Sequence, residues 1–184
     1  MKINLLFEGI SDKESFEVLL KEEIQTLKTK KFEVNANDYG GRKRGFTRIL
    51  PKEIKSSFEV YSADYVFVHI DSEEDSKEQM NENIEKMKRS IPVDFHNRVF
   101  WIVIRKNLES VLLAGCLEKE RNFEEIQKPK KAIRGIFGMK LKKGYIETID
   151  AKEYISQVSK ERILSRISGV KDFQQGLNQI SEFG

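Results

Sequence analysis

Apolar positions change period several times along the first two thirds of the chain. Lys2 to Phe7 is nearly continuous in Ile3, Leu5, Leu6 and Phe7, the pattern of a strand buried on both faces. Phe16, Leu19, Leu20, Ile24 and Leu27 then recur at helical spacing, with Ser11 as the expected N-cap and Glu14 as its capping-box partner. Phe32 to Asn35 reads as a second short strand. Residues 39–45 read as a loop, and Phe46 to Tyr61 as a helix whose first turn ends near Leu50-Pro51. Ala63 to Ile70 is a third strand, and Ser76 to Arg89 a polar helix with Met80, Ile84 and Met87 as a narrow apolar stripe. Arg98 to Ile104 is a fourth strand, after which Leu108 to Cys116 begins another helix.

This alternation predicts an α/β fold, a mainly parallel sheet of about four strands flanked by helices. From about Asn122 it gives way to segments 129–137, 151–158, 160–167 and 173–183 that read as helical. The expected organisation is an α/β domain over 1–121 and a mostly helical C-terminal extension over 122–184, packed on it.

A chain of 184 residues, 39% hydrophobic, buries one real core and leaves no room for a second catalytic domain. Its apolar runs, such as 99–104, are too short to cross a bilayer, and the N-terminus lacks a signal-peptide pattern, so a soluble, cytoplasmic protein is expected. The single cysteine, Cys116, makes no internal disulfide and reads as a helical core residue.

Net charge is only +3, but it is unevenly spread. Residues 28–55 hold nine basic side chains against three acids, and residues 128–143 hold seven with no acid. Between them, Asp71 to Glu85 is strongly acidic, with Lys77 its one cation. An acidic centre between basic segments suits a metal site acting on a polyanion; solvated charged faces are the plainer reading.

The acids that matter follow strands. Glu8-Gly9 comes directly after the first strand, and Asp71-Ser72-Glu73-Glu74-Asp75 after the third. In open α/β sheets, the C-terminal edge is where ligands and metals bind. Glu8, Asp71 and Glu73 are therefore the candidate catalytic and metal-binding residues for Mg²⁺ or Mn²⁺, hard ions that take oxygen ligands. Asp12 and Asp75 each stand about one helical turn further on, as candidates for outer or second-metal ligands. The alternative is structural: Asp71 caps the next helix, Glu8 pairs with a lysine, and Asp12 and Asp75 are acids favoured at helix N-termini. In the 39–45 loop, Arg42, Lys43 and Arg44 are candidates for contacting a nucleic-acid backbone, or belong to a plain solvated loop; no P-loop spacing is present. His69 reads as a core histidine, with a place lining the site as the alternative, and His96 has no evident partner.

Phe7-Glu8-Gly9-Ile10-Ser11-Asp12 and Val68-His69-Ile70-Asp71-Ser72-Glu73 together resemble the Toprim fold shared by topoisomerases, bacterial primases and overcoming-lysogenisation-defect (OLD) nucleases. Its pattern is Glu-Gly on the first strand and Asp-x-Asp on the third; Glu73 stands for the second aspartate, one methylene longer. Gly40-Gly41 before a helix, Glu109-Ser110-Val111-Leu112-Leu113-Ala114 after the fourth strand and Lys128-Pro129-Lys130 in the tail resemble small prokaryotic Toprim-like proteins, often encoded beside AAA-type ATPases. Val111 stands where that family has tryptophan. The resemblance implies metal-dependent, nuclease-type phosphodiester hydrolysis on DNA or RNA, in prokaryotic defence or DNA repair, with a partner ATPase, and makes Glu109 a further acid near the metals; an exposed or N-terminal helix glutamate is the alternative. The competing reading is a non-catalytic Toprim module that binds nucleic acid or a partner protein. Topoisomerase and primase activities need further domains. A phosphoacceptor receiver, with Asp71 and Lys106 in its key places, would show two adjacent acids after the first strand, which Glu8-Gly9 does not.

Overall fold

A strand that is apolar on both sides needs cover on both faces, and the order in which the chain supplies it determines where a crevice opens. The computed structural model describes residues 1–40, 45–117, 126, 128–137 and 147–182. Strands β1 (Lys2–Phe7), β2 (Glu33–Asp38), β3 (Tyr65–Asp71) and β4 (Val99–Ile104) form one parallel sheet in the order β2-β1-β3-β4. Helices α1 (Ile10–Leu19) and α2 (Lys21–Thr29) connect β1 to β2, and α3 (Phe46–Glu59) brings the chain back to β3 on the other side of β1. Helix α4 (Lys77–Lys88) and a 3₁₀ turn (Val93–Arg98) lead to β4.

On one face Ile3, Leu5, Phe7, Phe67 and Ile102 pack with Phe16, Leu19 and Leu27 of α1 and α2. On the other, Leu6, Val66, Val68 and Ile70 pack with Leu50 and Ile54 of α3 and with the Met80, Ile84 and Met87 stripe of α4. The strand order therefore reverses between β1 and β3, with the flanking helices on opposite faces. In open α/β sheets such a reversal is where ligands bind, beyond the C-terminal ends of the two strands.

The C-terminal helices share the first of these cores. Helix α5 (Leu108–Cys116) is buried all round from Leu108 to Gly115, so it has to lie inside other helices. It packs against α6 (Pro129–Phe137), α7 (Glu147–Ile155) and α8 (Lys160–Arg166). Helix α9 (Ser168–Glu182) crosses β4, where Phe173 stacks on Phe67 at 5.3 Å between ring centroids. Two glycines allow this approach: a methyl group at Gly169 would collide with the Val103 carbonyl oxygen, and one at Gly176 would stand 2.7 Å from the Phe67 ring. Lys160 and Gln174 both reach the buried Glu23 carboxylate, at 2.9 and 2.6 Å, tying α8 and α9 to α2. Among the described residues, no helix is long and apolar enough to cross a membrane.

Local details differ from the sequence pattern. The first helix begins at Ile10 with Gly9 as N-cap, so Ser11 falls inside the first turn and no side-chain capping bond closes it. That helix also breaks at Leu20 into α1 and α2, because Leu20 (φ −102°, ψ 22°) leaves helical geometry. Strand β2 runs three residues further, to Asp38, since it stays in register with β1 up to Phe7. His96 does have partners: its Nε2 lies 2.9 Å from the Lys88 carbonyl oxygen and 3.3 Å from that of Ile91. Cys116 is half-buried at the end of α5.

Backbone cannot retreat from a new methyl group as a flexible side chain can. Gly169→Ala is therefore expected to lower stability by about 1–3 kcal/mol, despite alanine's better helix propensity. Urea unfolding of the two proteins measures this, and an unchanged midpoint would contradict the close docking of α9 on β4.

Candidate metal centre

Parallel pairing of β1 with β3 runs from Ile3↔Tyr65 to Leu6↔Val68, which brings the ends of the two strands side by side. Glu8 and Asp71 meet there, and a Glu8 Oε2 atom accepts the Asp71 backbone N–H at 3.2 Å. Asp71 is only 6% exposed, and its Oδ1 has no hydrogen-bond donor among the described residues. Asp12, in the first turn of α1, and Glu109, in the first turn of the enclosed α5, are buried as well.

Glu73 arrives by a different route. The loops after β3 and β4 are laced together: Ser72 N–H donates to the Ile104 carbonyl and Glu73 N–H to the Lys106 carbonyl, both at 2.9 Å. The Lys106 N–H donates back to Ser72 Oγ at 2.9 Å. Glu73 (φ 53°) and Lys106 (φ 72°) both occupy the left-handed region, which non-glycine residues adopt only when their surroundings compel it. Lys106 Nζ turns to Glu74, 3.5 Å away.

Burial, and behind it the like charges of Asp12, Glu8, Glu73 and Glu109, push the Asp71 carboxyl well above its ordinary value of 3.8. His69 is fully buried two residues earlier on the same strand, with Nε2 3.6 Å from Asp71 Oδ1. Burial pushes its imidazole down to about 3, so the ring is neutral at neutral pH and this contact is not an ion pair. One ligand atom each from Asp12, His69 and Asp71 lies within 4.8 Å of the others. A donor set rich in carboxylate oxygen, with a buried oxygen that no hydrogen bond satisfies, fits a divalent cation.

Of the residues expected from sequence, Glu8, Asp12, Asp71, Glu73 and Glu109 are brought together here. Asp75 instead lines a neighbouring cavity of about 460 Å³ with Ser76, Lys77, Trp101 and Arg105, and none of those five acids lines it. Arg42, Lys43 and Arg44 lie outside the described residues. Lys130 is the addition: from α6 its Nζ comes within 3.9 Å of Glu109 Oε1. It borders an open cleft of about 700 Å³ whose walls carry Glu73, Glu74 and Asn107 together with Lys128 and Lys131. The basic run at 128–143 was visible in the sequence, but the packing of α6 on α5 was not. His69 had a usable signal, since period-two alternation places it on the same face of β3 as Asp71.

No protein-family model and no curated protein matches the chain. Among solved structures, the chain is similar to the C-terminal region of the Burkholderia pseudomallei OLD protein, with a TM-score of 0.59 at 11% identity over 98% of each chain. The likeness is one of fold. It agrees with the Toprim-like α/β class expected from the sequence, a four-stranded parallel sheet flanked by helices with a mostly helical C-terminal part.

The raised Asp71 value has a consequence for stability. Over the range from 3.8 upward to its folded value, the folded chain keeps a proton that the unfolded chain has released. Stability from this group is thus full below 3.8 and is lost as pH rises through that range. Asp71→Asn has no proton to release. In metal-free buffer, its urea midpoint is expected to approach that of the wild type in acid and to exceed it at neutral pH. A wild-type midpoint that gains on the variant with rising pH would contradict the crowding.

Proposed function

We propose that this chain is a divalent-metal-dependent phosphodiesterase of nuclease type, acting on DNA or RNA. The observation that carries the reading is the convergence of Glu8, Asp12, Glu73 and Glu109 on the buried Asp71, at the sheet's strand-order reversal and beside a lysine-bearing cleft. The fold likeness to the OLD C-terminal region supports the same class.

In this reading Glu8, Asp12, Asp71, Glu73 and Glu109 hold Mg²⁺ or Mn²⁺, with Glu8, Asp71 and Glu73 nearest the chemistry. A bound ion would supply charge neutralisation at the phosphodiester and a more acidic water. Lys128, Lys130 and Lys131 draw the phosphate backbone into the cleft, and Arg42, Lys43 and Arg44 also contact that backbone. Glu8, half-buried and bound through Oε2 to the Asp71 N–H, takes a proton from the attacking water in this reading. A partner ATPase of the AAA type would deliver substrate.

The test is incubation of purified protein with supercoiled plasmid, linear DNA and RNA in Mg²⁺ and in Mn²⁺. Losing an outer partner of a metal ligand already costs about 10–100-fold, so Asp71→Asn and Glu8→Gln are each expected to lose at least ~100-fold in cleavage. Cleavage that survives both substitutions overturns the proposal, as does folded wild-type protein that neither binds Mn²⁺ nor cuts.

Nucleic-acid binding provides a separate measurement. Replacing Arg42, Lys43 and Arg44 together with alanine is expected to weaken it and to reduce the slope of log affinity against log salt by about one unit per lost phosphate contact. An unchanged slope would return the loop to a solvated role.

A further inference from the structure

We propose that His69 supplies a nitrogen ligand to the ion at this site and so biases it toward a first-row transition ion of the Mn²⁺–Co²⁺ kind over Mg²⁺. This rests on the reading of the carboxylate cluster as a metal centre, and it adds a donor and a selectivity which that reading lacks.

Strand alternation puts Phe67, His69 and Asp71 on one face of β3, so the imidazole points into the same interior as the acids. The ring is 0% exposed, between Phe16 at 4.7 Å and Phe7 at 5.7 Å centroid to centroid. In such apolar surroundings a side chain with two polar nitrogens is costly unless each has something to bind. Yet neither Nδ1 nor Nε2 has a hydrogen-bond partner among the described residues. Asp71 Oδ1 lies 3.6 Å from Nε2, beyond hydrogen-bonding range.

That separation suits two ligands of one ion. Donor atoms each about 2.1 Å from a shared metal lie roughly 3–4 Å apart, and the His69–Asp71 distance falls within that span. Asp12 offers a third ligand atom to the group. Carboxylate oxygen alone suits Mg²⁺ and Mn²⁺ alike. An imidazole breaks the tie, because Mg²⁺ gains little from nitrogen whereas affinity for N/O sites climbs through Mn²⁺, Fe²⁺ and Co²⁺.

The chain's own composition makes this measurable. It has two histidines, and His96 is engaged by the Lys88 and Ile91 carbonyls on the turn leading into β4. An imidazole ¹⁴N coupling in the electron spin-echo spectrum of Mn²⁺ bound to the full chain would therefore report His69. We expect that coupling in the wild type and its loss in His69→Asn. We also expect the Mn²⁺-over-Mg²⁺ and Co²⁺-over-Mg²⁺ affinity ratios from calorimetry to fall at least ~10-fold in His69→Asn and His69→Leu. Stoichiometric Mn²⁺ without ¹⁴N coupling, or unchanged ratios in folded variants, overturns the role of His69 and leaves the carboxylate centre standing. Wild-type protein that binds no Mn²⁺ overturns both. The wild-type spectrum decides the matter even where a substitution prevents folding.

Discussion

Carboxylates around a buried aspartate repel one another, and every element near Asp71 can be understood by how it resists that repulsion. Asp71 itself is held by β3, paired on one side with β1 and on the other with β4. Glu8 follows directly from β1 and is bound to the Asp71 N–H. Asp12 rides on α1, which Phe16 anchors among Phe7, Phe173 and His69. Glu109 rides on α5, a helix that cannot move without exposing apolar surface on every side. In each case the apolar burial that offsets the repulsion lies away from the charges, so the acids stay together although they do not stabilise one another.

Strain is concentrated in the same place. Two of the four non-glycine residues with positive φ among the described residues, Glu73 and Lys106, face each other in the loops after β3 and β4, joined by a backbone hydrogen bond. Ser72 completes the brace by accepting the Lys106 N–H. Such conformations cost about 1–3 kcal/mol each and persist where the surrounding bonds over-determine them. Here the result is that Glu73, half-buried in a loop, is held near enough to Asp71 for its charge to act on that carboxyl.

The C-terminal helices matter to the site because they complete its enclosure. Helix α9 packs on β4 within the core it shares with α1 and α2, and its Phe173 extends the aromatic cluster around His69. Helix α6 packs on α5 and so carries Lys130 to Glu109. A cluster centred on an acid of the sheet thus takes a cation from a helix far along the chain, and carboxylates and lysines share the walls of one cleft.

Much of this was legible in the chain. Nearly unbroken apolar runs marked β1 and β3, and the acids placed directly after them were bound to emerge at one edge of a parallel sheet. The Met80, Ile84 and Met87 stripe correctly marked the buried face of α4. What periodicity could not separate were residues with the same local signature. Asp12 and Asp75 are both early acids that follow a strand, yet Asp12 is buried against Asp71 while Asp75 lines another cavity. His69 fits a core strand equally well with or without a role. Periodicity encodes which face of one element is buried. Which elements meet across that face is decided by packing and strand order, and it is there that Asp12, His69, Glu109 and Lys130 were brought to Asp71.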